Sequence, residues 1–228
     1  MYNKEIAIVY DKVHQTKNYV LEAERIKAHF SDNISNVLDI GCGTGGHSVA
    51  LAKLGYKVTG VDPSKYMIDI AKQKSDKAFE IDYKIGFLED LNIRKHEAAV
   101  SMFNVVNHIL DFTKLQDFFA AVSNTLNKSG VFVFDCFNQV AVARRRPNIK
   151  IIETGSIYCD YDAMSSNLEM KYSGNIKFSI MHKLWSTNIL NELAVLNGFT
   201  VTSIVDQKTN LPATCDSYKI TFVCKKDI

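Results

Sequence analysis

The sequence lacks an excess of either charge: Lys+Arg 27 against Asp+Glu 25 leave a formal +2 over 228 residues. That balance provides no electrostatic footprint for nucleic acid or for a membrane surface. No apolar run approaches the ~18 residues needed to span a bilayer, and the opening MYNKEIAIVYDKVHQ has no basic stretch followed by an apolar core. The expectation is a cytoplasmic protein with no membrane partner. Cys42, Cys136, Cys159, Cys215 and Cys224 are odd in number, form no CxxC pair and show no ligand-like spacing to the six histidines. Neither a disulfide framework nor a metal site is expected from them. What is present is ordinary globular material, 46% hydrophobic and 23% charged, which excludes a disordered chain, a collagen-like repeat and a coiled coil. The length suits one large domain, or a core domain with an insertion.

Apolar spacing then orders the chain. Tyr19, Ala23, Ile26 and Phe30 share one face of a helix predicted over 18–30. NVLDI (36–40) reads as a strand, followed at once by GCGTGG and by a helix, SVALAKLG (48–55), that Gly55 closes. A second strand, KVTGVD (57–62), ends in Asp62 and Pro63, and Ser64 can cap a helix carrying Met67, Ile68 and Ala71. IDYKI (81–85), AAVSMF (98–103) and VFVFDCF (131–137) continue as buried parallel strands, with a helix over 115–126. The predicted fold is α/β, a doubly wound, Rossmann-like sheet whose ligand lies beyond the carboxyl ends of the strands.

From about residue 148 the texture changes. Leu168, Met170 and Tyr172 alternate with polar residues, Gly174-Asn175 supplies a turn, and Ile176, Phe178, Ile180 and Leu184 alternate again. With IKIIE and SIYCDYD ahead of it, this predicts a small antiparallel insert over 148–185, between strand five and a last helix over 187–197. TVTSIV and YKITFVC close the core, which comprises 1–147 and 186–228.

The glycine loop carries the chemistry. Small residues let the backbone turn sharply and let a ligand approach N–H groups at a helix N-terminus. Gly41, Gly43 and Gly46 satisfy GxGxxG, and Asp62 follows about 20 residues later, where a nicotinamide-dependent oxidoreductase would place its ribose acid. Asp39 two residues before the loop, the Thr44-Gly45 pair and the helix ahead of strand one favour a different cofactor.

LDIGCGTGGHSVALAKLGYKVTGVDPSKYMIDIAK resembles the cofactor half of class I S-adenosylmethionine-dependent methyltransferases, whose fold is a seven-stranded sheet of this kind. YDKVHQTKNY (10–19) and MFNVVNHI (102–109) resemble the small enzymes that N-methylate nucleotide-linked aminodeoxysugars. The resemblance implies S-adenosyl-L-methionine as cofactor and a small-molecule, nucleotide-linked acceptor; O-methylation of a sugar or other small metabolite is the alternative, and an oligomer is compatible with either. It gives Asp39, Gly41, Gly43, Asp62 and Met102 to the cofactor, has Tyr10 and Tyr19 close over it, and places His108 and Tyr10 beside the acceptor as catalytic residues. The family's usual Gly-Asp after strand three is here Gly86-Phe87, so adenine falls to Phe87 and Leu88, or to Glu89 and Asp90. The insert is the implied acceptor lid.

Other residues read more plainly. His14 packs the N-terminal segment, and His29, His47, His96 and His182 are expected at the surface or in the scaffold. Arg144-Arg145-Arg146 is a solvated run or a contact for an acceptor phosphate. Nucleic-acid amino methylation is disfavoured, because Phe103-Asn104-Val105-Val106 replaces the Asn/Asp-Pro-Pro-aromatic signature that resemblance to such enzymes would require.

Overall fold

The computed structural model describes residues 3–145, 149–152, 155–174 and 176–227. Two helices precede the sheet: α1 (Lys4–His14), whose N-cap Asn3 accepts the Ile6 N–H, and α2 (Tyr19–Lys27), capped in the same way by Asn18. The alternating core follows as β1 (Asn36–Ile40), α3 (Gly46–Lys53), β2 (Lys57–Asp62), α4 (Lys65–Lys74), β3 (Ile81–Ile85) and β4 (His96–Ser101). It continues through α5 (Val105–His108), α6 (Phe112–Thr125), β5 (Leu126–Phe137) and α7 (Gln139–Arg144). The insert supplies β6 (Ile149–Ile152), β7 (Gly155–Asp162), β8 (Asn167–Gly174) and β9 (Phe178–Lys183), and the chain ends with α8 (Thr187–Leu196), β10 (Phe199–Asp206) and β11 (Lys219–Lys226).

The main sheet has seven strands in the order β10-β11-β5-β4-β1-β2-β3, and β6-β7-β8-β9 form a separate antiparallel sheet. β1 to β5 are parallel as predicted, while β11 inserts antiparallel between β5 and β10. Both faces are covered, so successive residues of one strand enter opposite cores. On β5, Phe132 and Phe134 join Phe119, Leu190 and Phe222, whereas Val133 joins Val37, Leu51, Val100 and Ile26. This explains the near-continuous apolar runs.

Several boundaries differ from the sequence reading for physical reasons. Strand four stops at Ser101, because Phe103 (φ 71°) and Asn104 (φ 62°) turn into the left-handed region. Strand five begins at Leu126, immediately after α6, which itself starts earlier because Asp111 accepts the Lys114 N–H as its N-cap. The helix predicted to Phe30 ends at Lys27, and Phe30 packs edge-on against Tyr56 instead. α1 is not among the helices that the apolar spacing predicts. Asn175 of the expected hairpin turn, Asn148 at the start of the insert and Arg146 of the arginine run lie outside the described residues.

Candidate active site

A cavity of about 840 Å³ opens at the carboxyl ends of β1, β2 and β4. Its cofactor half is built by the turn between β1 and α3. Gly41 takes φ 69°, and a side chain there would come within 2.5 Å of Val105, so only glycine closes this turn against α5. Gly46 is needed for a different reason: a Cβ would lie 2.5 Å from the Tyr19 ring, which rests directly on the loop. Tyr10 of α1 stands farther off, 4.0 Å from where a Cβ of Gly43 would lie.

Asp62, at the end of β2, braces this loop. Its carboxylate accepts the Gly43 N–H at 3.0 Å and the Ser64 N–H at 2.8 Å, joining the β1–α3 turn to the start of α4. Burial raises its pKa to about 6, with these two hydrogen bonds opposing the rise and Asp39 adding to it. Asp39 lies behind the loop, 1% exposed and absent from the cavity wall, where it accepts the Ser48 hydroxyl at 2.6 Å. It supports α3 and reaches the cavity only through the backbone it holds. Phe87, Leu88, Glu89 and Asp90 line the wall beyond β3, and Met102 the floor beyond β4.

The other end of the cavity is lined by Tyr10, Phe103, His108 and Ile109, with Phe178 to Met181 of the insert. Backbone strain directs this wall. Asp135 on β5, fully buried, accepts the Asn104 N–H at 2.5 Å and a hydrogen bond from the Gln207 amide, which pins the Phe103–Asn104 turn from beneath. Phe103 then meets His14 edge-on at 4.7 Å and Tyr10 at 6.1 Å. Lys17 and Lys219 place their ammonium groups over the Phe103 ring, at 4.9 and 4.5 Å from its centroid. Burial and the neighbouring Lys219 lower the His108 pKa to about 4, so its imidazole is neutral at physiological pH.

Tyr10, Tyr19, Gly41, Gly43, Asp62, Phe87, Leu88, Met102 and His108 therefore share one cavity; Asp39 stands behind it. Two histidines assigned to surface or scaffold belong to this neighbourhood instead. His47 lines the cavity, 6% exposed, and bonds Glu22 at 2.7 Å, and Glu22 also pairs with Lys17. His182 is 4% exposed with its ring centroid 4.5 Å from that of His108. The alternation Phe178, Ile180, His182, Leu184 put it on the apolar face of its strand, a signal available in the sequence. Arg144 contacts Cys215 and Asp216, and Arg145 lies over the Tyr218 ring; neither lines the cavity. Among the described residues no group of side chains has the composition of a metal site, all five cysteines are free, and no helix is long and apolar enough to cross a membrane.

Residues 37–130 match the family described as Methyltransferase domain. A Bacillus subtilis (strain 168) protein named as methyltransferase YqeM is 25% identical over 180 residues, 78% of this chain and 70% of that one. A ubiquinone biosynthesis O-methyltransferase of Bradyrhizobium diazoefficiens is 36% identical over 104 residues, 45% of this chain. This chain spans 40% of that relative's length, and the fuller span is with YqeM. Among solved structures, an S-adenosylmethionine-dependent methyltransferase from Clostridium acetobutylicum ATCC 824 superposes with TM-score 0.83 at 20% identity over 98% of both chains. CalS10, an amino pentose methyltransferase of Micromonospora echinaspora solved with S-adenosylmethionine bound, gives 0.73 at 18% identity over 99% of this chain and 98% of that one. The cavity fits the same cofactor: the glycine turn lets it approach the backbone closely, and the Asp62 carboxylate retains lone pairs for two ribose hydroxyls. The matched segment carries the glycine turn and Asp62, and the fold that encloses it is that of S-adenosylmethionine-dependent methyltransferases.

Proposed function

We propose that the protein methylates the amino group of a small-molecule acceptor, an aminodeoxysugar that is nucleotide-linked in its preferred form. The observation that carries the choice of nitrogen is His108: it lines the acceptor end as a neutral imidazole with a pKa of about 4, too weak a base to activate a hydroxyl. A free amine needs no such base. Bound S-adenosylmethionine supplies a methyl group already activated by the positive sulfur. The acceptor nitrogen uses its lone pair to form the N–C bond as the C–S bond breaks and sulfur keeps the electron pair; the proton on nitrogen leaves to water. The chain's part is alignment and exclusion of water, an effect worth up to about 7–11 kcal/mol in favourable systems. In this reading Asp62 holds the ribose, Tyr10 and Tyr19 cover the cofactor, His108 and Tyr10 orient the acceptor, and the insert roofs it. Structures that share the fold include enzymes titled as sugar and glycopeptide N-methyltransferases, which supports a sugar amine.

One observation favours a second reading. The insert wall is largely apolar, with Phe178, Ile180 and Met181, and the ubiquinone-named relatives are O-methyltransferases, so a hydroxyl on an apolar body is the competing acceptor. Mass spectrometry of reactions with free and nucleotide-linked aminosugars, and with phenolic hydroxyls, separates the two. Methylated amines are expected. Turnover of hydroxyls alone would overturn the nitrogen assignment, and cofactor binding without turnover of any acceptor would leave a binding protein. His108→Asn is expected to raise KM for the acceptor, with kcat within about tenfold and the shape of the pH profile kept, because orientation and not proton transfer is removed.

A further inference from the structure

The acceptor end is set beside a lysine that the reaction as described leaves unused. Lys219 opens β11, in register with Phe137 on β5, which puts it diagonal to Asp135 on the same face of the sheet. Its ammonium lies over two rings, Phe103 at 4.5 Å and Phe137 at 5.0 Å. Phe103 is part of the cavity wall, and Phe137 meets His182 edge-on at 5.5 Å, His182 in turn packing on His108. Asp135 shares that face, but its two oxygens already accept hydrogen bonds from Asn104 and Gln207. Among the described lining residues, the other acids lie elsewhere: Asp62, Glu89 and Asp90 at the cofactor end, and Asp111 at the exposed start of α6.

We propose that Lys219 is a positioning residue that makes the acceptor end admit an amine only as its neutral free base, by holding an ammonium group behind Phe103 of the cavity wall and beside Phe137. This rests on the amine reading above. The charged and titratable groups around it are consistent. Asp135 faces it from β5, with Cys136 next in the chain on the opposite face, Lys17 and Glu22 act from the α2 side, and His108 and His182 from α5 and β9. Lys17 is paired with Glu22, and Asp135 opposes the fall that burial imposes on the Lys219 pKa. Both histidines are driven towards their neutral forms by burial first and by Lys219 in addition. Two effects therefore act together on an entering ammonium: like-charge repulsion, and loss of hydration against Ile109, Phe178, Ile180 and Met181. Among the described residues the Nδ1 of His182 is buried without a hydrogen-bond partner, so no acceptor there would stabilise a second ring proton.

The test uses the full chain loaded with the demethylated cofactor, and two probes, benzylamine and benzyltrimethylammonium, followed at the His108 ring proton by NMR between pH 6 and 10. The wild type is expected to bind benzylamine with an affinity that falls about tenfold per pH unit below the amine's own pKa, and to bind the permanent cation at least tenfold more weakly than the free base. Lys219→Met should narrow that preference at least tenfold, and Lys219→Arg, which keeps the charge, should restore it. A wild type that takes the permanent cation as tightly as the free base overturns the proposal, and so does a Lys219→Met protein with an unchanged preference. Should Lys219→Met fail to fold, Lys219→Gln carries the same comparison, and an unchanged preference in it overturns the proposal. Binding to the loaded protein needs no turnover, so failure to methylate any amine would count against the acceptor reading and leave this measurement standing.

Discussion

Asp62 does two things at once, and its pKa makes them separable. The carboxylate already holds two loop N–H groups, and a ligand that donates ribose hydroxyls to it binds the ionised form. With a pKa of about 6 in the unliganded protein, Asp62 must lose a proton before binding in acid, so affinity for the demethylated cofactor is expected to be flat above pH 7 and to fall by up to about tenfold per unit below 6. Calorimetry in buffers of different ionisation enthalpy should show a proton released on binding near pH 5.5. A flat profile from pH 5 to 8 would place the ribose elsewhere. Asp62→Ala should cost about 1.5–3 kcal/mol of cofactor affinity, the range for hydrogen bonds to a charged group.

At the scale of elements, the insert is fastened to the core at the acceptor wall. Asn107, fully buried in α5, accepts the Phe137 N–H at 2.9 Å and donates to the Lys183 carbonyl at 2.8 Å, so one side chain joins the end of β5 to the end of β9. Trp185 adds a bond to the Ile109 carbonyl at 3.0 Å. Asn107→Ala leaves two backbone groups short of partners and is expected to cost about 1–3 kcal/mol, with faster amide exchange in β9 and a raised acceptor KM. Protection in β9 equal to wild type would mean that the second sheet is held by other contacts. These fastenings also mark where sequence reading stops. β1, β2 and β3 were legible to the residue, because apolar runs there are bounded by glycine, proline or a capping serine within the same segment. The spacing of the glycine turn and Asp62 marked a nucleotide-type site, and only the family resemblance chose among its cofactors. The left-handed turn at Phe103 and Asn104 was not, since it depends on Asp135, which lies 31 residues further along and marks no boundary of its own. Lys219 was hidden for a similar reason: a lysine at the start of an apolar strand looks like an exposed end until its neighbours across the sheet are known.

For the whole molecule, acid pulls on stability in two directions. The buried carboxylates Asp39, Asp62 and Asp135 have raised pKa values, so each favours folding below its unfolded pKa and loses that contribution as pH rises through its folded value. The histidines work the other way. His182, pushed down to about 2, stays neutral in the fold while the unfolded chain takes up a proton, so its contribution is intact above its unfolded pKa near 6.5 and falls steadily as pH drops towards the folded value. His182→Phe separates the two sets. Relative to wild type, the variant's unfolding free energy in urea is expected to improve by about 1.4 kcal/mol for each pH unit below 6.5. A difference that does not vary with pH would show that His182 does not remain neutral.

The position of β11 carries a consequence for how the molecule is made. It is the last strand in chain order, yet it lies inside the sheet, with β5 on one side and β10 on the other. During vectorial synthesis β5 emerges from the ribosome with one edge unpaired, and that strand carries Phe132, Phe134 and Phe137. The edge stays open while the insert, α8 and β10 are translated, an interval in which another nascent chain can pair with it. The second sheet and α8 can assemble from local contacts during that interval, but the Phe134–Phe222 stack at 4.7 Å forms only when β11 arrives. The same step carries Lys219 into place over Phe103 and Phe137, so closing the sheet and finishing the acceptor wall are one event.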